Sequence, residues 1–391
     1  MKNIHYFLFS FIVLCGCTNT HKNTDNSVKT VVITPDKSIT ADINDLYYNC
    51  TFVQLETTPV SIIGALSSLA VYKDRFYTYD SHGGGAVHCF DKHGKFLFKI
   101  AKHGNGPGET MRITDFCIDE RNNILWIADN YKKIQKYDMD GHLINEYRTD
   151  FALKNIVCVP ESNDLLALRF GYYKDKNYQA GIYSLKNNQI LIHNDYISDF
   201  ERITSETSMS QYNNHIVYAF GFSDTLYHMD KNGFHPQYAF DFGEYKVIKK
   251  ITDKFGNDNK KFVLDFMNPS KNYAGLITNI LETDDFITFR YDFRGKNQLA
   301  VYSKTNNEIR NIKKITVNSK EYFVALFFRY YVNNIFYSVL QAESISENMS
   351  EQNTSGGYGI YSDFNELEAK IKADDNPIVV FGENNMQSLF K

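Results

Sequence analysis

Apolar and polar positions alternate with a period of two along most of the chain, in short runs separated by polar turns. Such alternation marks half-buried strands, whereas an amphipathic helix would repeat every three to four residues. Val87 to Glu109, VHCFDKHGKFLFKIAKHGNGPGE, shows the unit. Val87–Phe90 and Phe96–Ile100 flank the tight turn Asp91-Lys92-His93-Gly94, and the glycine-rich loop Gly104-Asn105-Gly106-Pro107-Gly108-Glu109 follows. This pattern predicts a β-hairpin feeding a shaped loop.

The aromatic-plus-turn signature recurs at Phe90 (FDKHG), Tyr137 (YDMDG), Tyr183 (YSLKN), Tyr227 (YHMDK), Tyr302 (YSKTN) and Phe381 (FGENN), in steps of 47, 46, 44, 75 and 79 residues. The first three steps fit one four-stranded propeller blade each, roughly 40–50 residues. The two long steps each contain a non-strand stretch, Phe242–Lys271 and Glu343–Asn376, and removing them leaves six equal units. The reading is all-β: a six-bladed β-propeller of four-stranded antiparallel blades with short helical insertions. A sandwich would not repeat at a fixed step.

Units one to five are expected at Ile62–Ile100, Ile113–Tyr147, Leu153–Tyr196, Arg202–Phe242 and Ala274–Val317, with unit six beginning near Tyr322. A ring must lock its ends together. The alternating stretch TFVQLET places Phe52–Leu55 as the strand completing blade six, with Met386–Phe390 as the other segment able to do so. Within the second insertion, Asp363–Lys372 sets Phe364, Leu367 and Ile371 on one helical face behind a capping Ser362 or Asp363.

The N-terminus changes the picture of where the propeller works. Lys2, the apolar run Tyr6–Leu14 and then Leu14-Cys15-Gly16-Cys17 read as a signal peptide, too short to span a bilayer. Its ending is similar to a bacterial lipobox, which makes Cys17 the lipidated first residue of the mature chain. The expected organisation is therefore a lipoprotein signal peptide at 1–16, a lipidated cysteine and flexible tether at 17–40, and the propeller at 41–391. The only membrane association expected is through the lipid, at the outer membrane. The tether has no acidic run of the kind associated with surface display, which favours the periplasm-facing side.

A net charge of −4 and the lack of a long basic stripe argue against nucleic acid as a partner. Four cysteines lie beyond Cys17: Cys50, Cys89, Cys117 and Cys158. Cys117 and Cys158 fall in the first strands of consecutive units. They are neighbours round the channel, so a bridge between them stays open, but adjacent inner strands are read as far apart for the short Cα separation a disulfide needs, and free buried thiols are favoured.

FDKHGKFLFKI with its GNGPGE, then YDMDG, SDTLYHMDKNG with its downstream DFG, DNPIVVF and the early VQLET together resemble the six-bladed β-propeller lipoproteins of gut bacteria, relatives of the NHL-repeat propellers. The resemblance covers roughly residues 40 to 385. It implies the fold, export and a lipid anchor, and it brings no catalytic residues with it.

Candidate chemistry is sparse. GNGPGE lacks the Lys-Ser/Thr of a phosphate loop. The histidines at 82, 88, 93 and 103 fall in separate turns or on opposite strand faces, so no zinc site is expected. Inner-strand polar residues would line the channel: Asp115, Asn155, Glu206, Asn279 and Arg329, with Glu109 and Arg112 at a mouth. The expected function is a binding or interaction module for a glycan, a peptide or an envelope protein, with no cofactor. The alternative is a cation-dependent hydrolase or lyase, lactonase-like or polysaccharide-acting, in the channel, whose oxygen ligands would suit calcium or magnesium.

Overall fold

The repeated turn is a side-chain device. Asp91 Oδ1 accepts from the backbone N–H groups of His93 (2.8 Å) and Lys95 (2.9 Å). Asp138 Oδ1 does the same with Asp140 and His142, both at 2.9 Å, and Asp230 Oδ1 accepts from Asn232 at 2.7 Å. Where serine stands instead, Ser184 and Ser303 Oγ accept from Asn187 and Asn306. A short acceptor at the strand end satisfies turn N–H groups that would otherwise lack partners. Gly94 and Gly141 close two of these turns with φ of 85° and 84°.

These hairpins build six sheets in the computed structural model, which describes residues 28–391 apart from 83–84, 172, 174–175, 197–208, 220–221, 248–253, 256–257, 324–327 and 347–356. The inner strands are Leu66–Tyr72, Ile113–Asp119, Leu153–Cys158, Met209–Tyr212, Ala274–Glu282 and Phe328–Val332. They neighbour one another in that order, and the sixth packs against the first, so the ring closes. Each heads a meander of antiparallel strands, as in blade two with Ile124–Asp129, Lys133–Asp138 and Leu143–Arg148. The chain is a six-bladed β-propeller.

Stacking radially buries the faces that single sheets cannot bury. Six apolar clusters lie between consecutive blades. Blades one and two meet through Tyr77, Val87, Cys89, Ile113, Leu125 and Ile127, all fully buried. Aromatics dominate the seam between blades four and five, where Phe240 and Phe289 lie 4.4 Å apart.

The closing strand is Tyr47–Gln54, and Val53 pairs with Val379 of the third strand of blade six, Ile378–Asn384. Phe52 and Val53 are buried there, as expected, while Met386–Phe390 forms a 3-10 turn instead. Asp363 caps the helix Phe364–Glu368 by accepting from Asn365 N at 2.9 Å, and Phe364, Leu367 and Ile371 enter the core, with Phe364 on Phe52.

Two boundaries differ from the sequence reading. Residues 29–40 are not tether. Lys29–Val32 adds in parallel to the outer strand of blade four, Gly233–Asp241, and Ile39–Asp42 adds in parallel to that of blade five, Glu308–Val317. An outer strand presents unpaired N–H and C=O groups, and Val31 and Ile33 are buried beside Phe240 and Phe242. The run Val31, Val32 and Ile33 marks Val28 to Thr34 as an extended stretch, but nothing in it shows which edge it joins. Likewise, Lys320–Phe323 pairs back onto blade five, so Tyr322 belongs there and blade six begins at Phe328.

Candidate functional site: the polar mouth of the channel

The inner strands repeat an irregularity near their starts. Pairing skips one residue at Ser67, Thr114, Lys154 and Arg329 in blades one, two, three and six. Such a bulge re-aims the side chains beside it. In the first three blades the next residue is polar: Ser68, Asp115 and Asn155.

Those three join. Asp115 is 3% exposed. Its Oδ1 accepts from Ser68 Oγ at 2.8 Å, and its Oδ2 accepts from Asn155 Nδ2 (3.2 Å) and Ile156 N (3.3 Å). Burial pushes its carboxyl up to about 6, against the pull of the hydrogen bonds from Ser68 and Asn155. Across the channel, Arg329 Nη1 donates to Asn279 Oδ1 (3.0 Å) and to Ser67 O (3.2 Å). Asn279 has φ of 50°, a left-handed conformation that asparagine tolerates better than most residues, so its identity also has a backbone reason.

Above this floor opens a cavity of about 410 Å³, lined by Ser68, Asp115, Asn279 and Arg329 and by the ends of the inner strands. Its rim carries Glu120, Tyr212, Glu282, Asp284, Tyr330 and Tyr331. Tyr330 donates to Glu120 at 2.8 Å and Tyr212 to Asp284 at 2.9 Å, which fixes both rings. Of the rim residues, Glu282 is buried and bound by His228 Nε2 and Lys304 Nζ, both at 2.7 Å. Burial alone would raise this carboxyl, but the hydrogen bonds from His228 and Lys304 and the Lys304 charge outweigh it and hold it below the ordinary glutamate range.

The sequence-singled residues thus separate. Asp115, Asn279 and Arg329 reach the cavity, and Asn155 supports Asp115 from behind. Glu109 does not line it. Its Oε2 accepts from Gly106 N at 2.9 Å inside the glycine-rich loop, which holds its carboxyl below the usual range. A Cβ on Gly104, at φ 151°, would lie 2.0 Å from that oxygen, so the glycine makes room for the carboxylate. Buried Lys133 donates to Glu109 O (2.7 Å) and Gly106 O (3.3 Å), binding the loop to blade two. Arg112 is exposed at the exit of the same loop, outside the cavity lining. Glu206 lies outside the described residues.

Sequence reasoning missed Ser68 and the rim tyrosines. Ser68 was findable, because it stands two residues into its inner strand, as Asp115 and Asn155 do. Among the described residues no three His, Cys, Asp or Glu side chains come together as a metal site, and no helix is long and apolar enough to cross a membrane.

All four cysteines beyond Cys17 are free in the structure, as expected, but the spacing of one pair differs. Cys117 and Cys158 are not held apart by the spacing of inner strands: their sulfurs are 2.8 Å from each other. Radial packing brings the two strands close at this level, where the side chains lean laterally across the seam between blades two and three.

The family model described as "Domain of unknown function (DUF4934)" matches residues 29–383. The chain belongs to that family. The match begins at the first residue of the first outer strand and ends within the strand that the closing strand pairs. This DUF4934 propeller is similar to the crystal structure of a candidate exported protein from Bacteroides fragilis, at 15% identity and a TM-score of 0.67, over 91% of this chain and 99% of that one. Two further structures are more distant. One is U3-55K (10% identity, TM-score 0.45, 76% of this chain and 79% of that one), and the other is the Cps50 (Swd1) β-propeller domain of Myceliophteria thermophila (11%, 0.39, 66% and 88%). Among curated proteins, none matches the chain.

Proposed function

We propose that this protein is an exported, lipid-anchored propeller that binds a polar ligand, a glycan or a peptide, in the channel mouth beside Asp115 and Arg329. The observation that carries this reading is the chemistry of the cavity. Three half-buried tyrosines, Tyr212, Tyr330 and Tyr331, line it, two of them fixed by carboxylates, beside hydroxyl, amide, carboxyl and guanidinium groups. Aromatic walls with a few convergent polar groups suit sugar faces and peptide side chains. The cavity volume matches a small ligand or one end of a chain.

Export and anchoring rest on the Leu-Cys-Gly-Cys sequence at 14–17, and the exported-protein name of the B. fragilis relative supports the same compartment. The outer membrane is the proposed address, with the propeller facing the periplasm.

The alternative, a cation-dependent hydrolase or lyase, needs several oxygen ligands converging on one point at about 2.3–2.6 Å. Here both oxygens of Asp115 already accept hydrogen bonds from neighbouring blades. Metal content of the mature protein by elemental mass spectrometry, with melts with and without EDTA, separates the readings. The binding module predicts no stoichiometric cation and no shift, while a stoichiometric cation whose removal lowers the melting point transfers the case to the hydrolase. Cys17→Ala should release the protein from the membrane fraction, and its retention there would refute the anchor.

A further inference from the structure

Cys117 and Cys158 occupy the inner strands of blades two and three, 41 residues apart in the chain, with their sulfurs 2.8 Å from one another. That lies well inside the contact distance of two unbonded sulfurs, and a covalent bond would need only a further small approach, to about 2.05 Å. Both line the mouth cavity and both are half-buried, so a small oxidant reaches them from the cavity. Cys117 stands two residues beyond Asp115, and Cys158 three beyond Asn155, so the pair sits directly above the cross-blade hydrogen bond between those residues. Cys50 and Cys89 have no such partner: Cys89 is buried in the seam between blades one and two, and Cys50 packs between blades five and six. None of this is explained by core packing alone, which would be served by any small apolar side chain.

We propose that Cys117 and Cys158 are a redox site, closing to a disulfide that staples blades two and three at the lip of the cavity. The oxidant is a small-molecule disulfide of the oxidised glutathione class. One cysteine thiolate attacks the oxidant's S–S bond and forms a mixed disulfide, releasing one oxidant sulfur as a thiolate. The second cysteine thiolate then attacks the first cysteine's sulfur and displaces the other oxidant sulfur. The pair loses two protons and two electrons, and the oxidant gains them. Closure in the cell rests on the export reading above, because oxidising compartments keep disulfides and the cytosol does not.

The test uses the mature protein taken from the membrane fraction with thiols blocked at lysis, and the same protein reduced and then equilibrated with oxidised glutathione. Peptide mapping without reductant should recover one peptide joining Cys117 to Cys158 in both samples, with Cys50 and Cys89 alkylated. Reduction should lower the melting temperature by about 5 °C. Cys117→Ser with Cys158→Ser should abolish that reductant-dependent shift, and Cys89→Ser should leave it intact. A link that forms with glutathione and is absent from the cellular sample supports the site and overturns the oxidising location instead. Two free thiols after equilibration with oxidised glutathione, in protein with an unchanged circular dichroism spectrum, would overturn the site itself.

Discussion

Asp115 offers the sharpest quantitative test of the channel floor. Its carboxyl is raised from 3.8 to about 6 in the folded chain, first by burial. Between those values the folded state holds more protons than the unfolded one, so the group's contribution to stability falls as pH rises through the window and is flat on either side. The full penalty is about 3 kcal/mol at neutral pH, at about 1.4 kcal/mol for each unit. Between pH 4.5 and 7.5 it grows by about 2 kcal/mol. Asp115→Asn removes the titration and keeps the shape. Its amide nitrogen can face Ser68 Oγ, which then accepts, while its oxygen keeps Asn155 and Ile156 as donors. Denaturant unfolding of both proteins at pH 4.5 and 7.5 reads the effect. The variant should gain about 2 kcal/mol on the wild type across that interval, with all other titrating groups cancelling. Parallel pH dependence in the two proteins would refute the buried, protonatable floor.

Other parts of the structure are equally exposed to test. Asn376, 1% exposed, accepts from Ile63 N (2.7 Å) and donates to Glu56 O and Ser61 O; Asn376→Ala should cost about 2–4 kcal/mol by denaturant unfolding, and a change near zero would show that these bonds do not fasten blade six to blade one. Burial lowers His88 to about 4, and among the described residues neither ring nitrogen has a hydrogen-bond partner; the stability this neutral ring allows is present above pH 6.5 and lost as pH falls toward 4. His88→Leu should therefore outperform the wild type at pH 5, relative to pH 7.5, by about 2 kcal/mol, and an equal acid response in both proteins would contradict it. Gly94→Ala would set a Cβ 2.3 Å from Gln54 O at φ 85°, so it should destabilise the fold and speed amide exchange in the closing strand Tyr47–Gln54, whereas unchanged exchange would refute that coupling.

How much of this the sequence carried depends on the range of the interaction. FDKHG and YDMDG were legible because the acceptor, the turn N–H groups and the glycine are local, and their spacing counted the blades. The closing strand was legible too, since TFVQLET alternates cleanly and a ring needs it. Val28 to Thr34 was legible as extended but its pairing was not, and Ile39–Asp42 was not legible at all, because both depend on distant edges at Gly233–Asp241 and Glu308–Val317. Position alone suggested Asp115, Asn155, Asn279 and Arg329, but which of them touch was set by bulges that leave no mark in composition. Glu109 looked like a mouth residue and instead fills the loop that Gly104 and Gly106 open. The sulfur pair depended on how closely two blades approach at one level, which no one-dimensional spacing contains.

The mouth lined by Tyr212, Tyr330 and Tyr331 is the proposed binding site. The most direct measurement is a glycan and peptide array probed with the mature protein and with Tyr331→Ala, followed by titration calorimetry of the strongest ligand against both. Saturable binding to the wild type is expected, with at least a tenfold loss in the variant, whose circular dichroism spectrum is kept although loss of the Tyr331–Phe336 contact lowers its melting point. Binding that is equally strong in both proteins would place the site elsewhere and contradict the account.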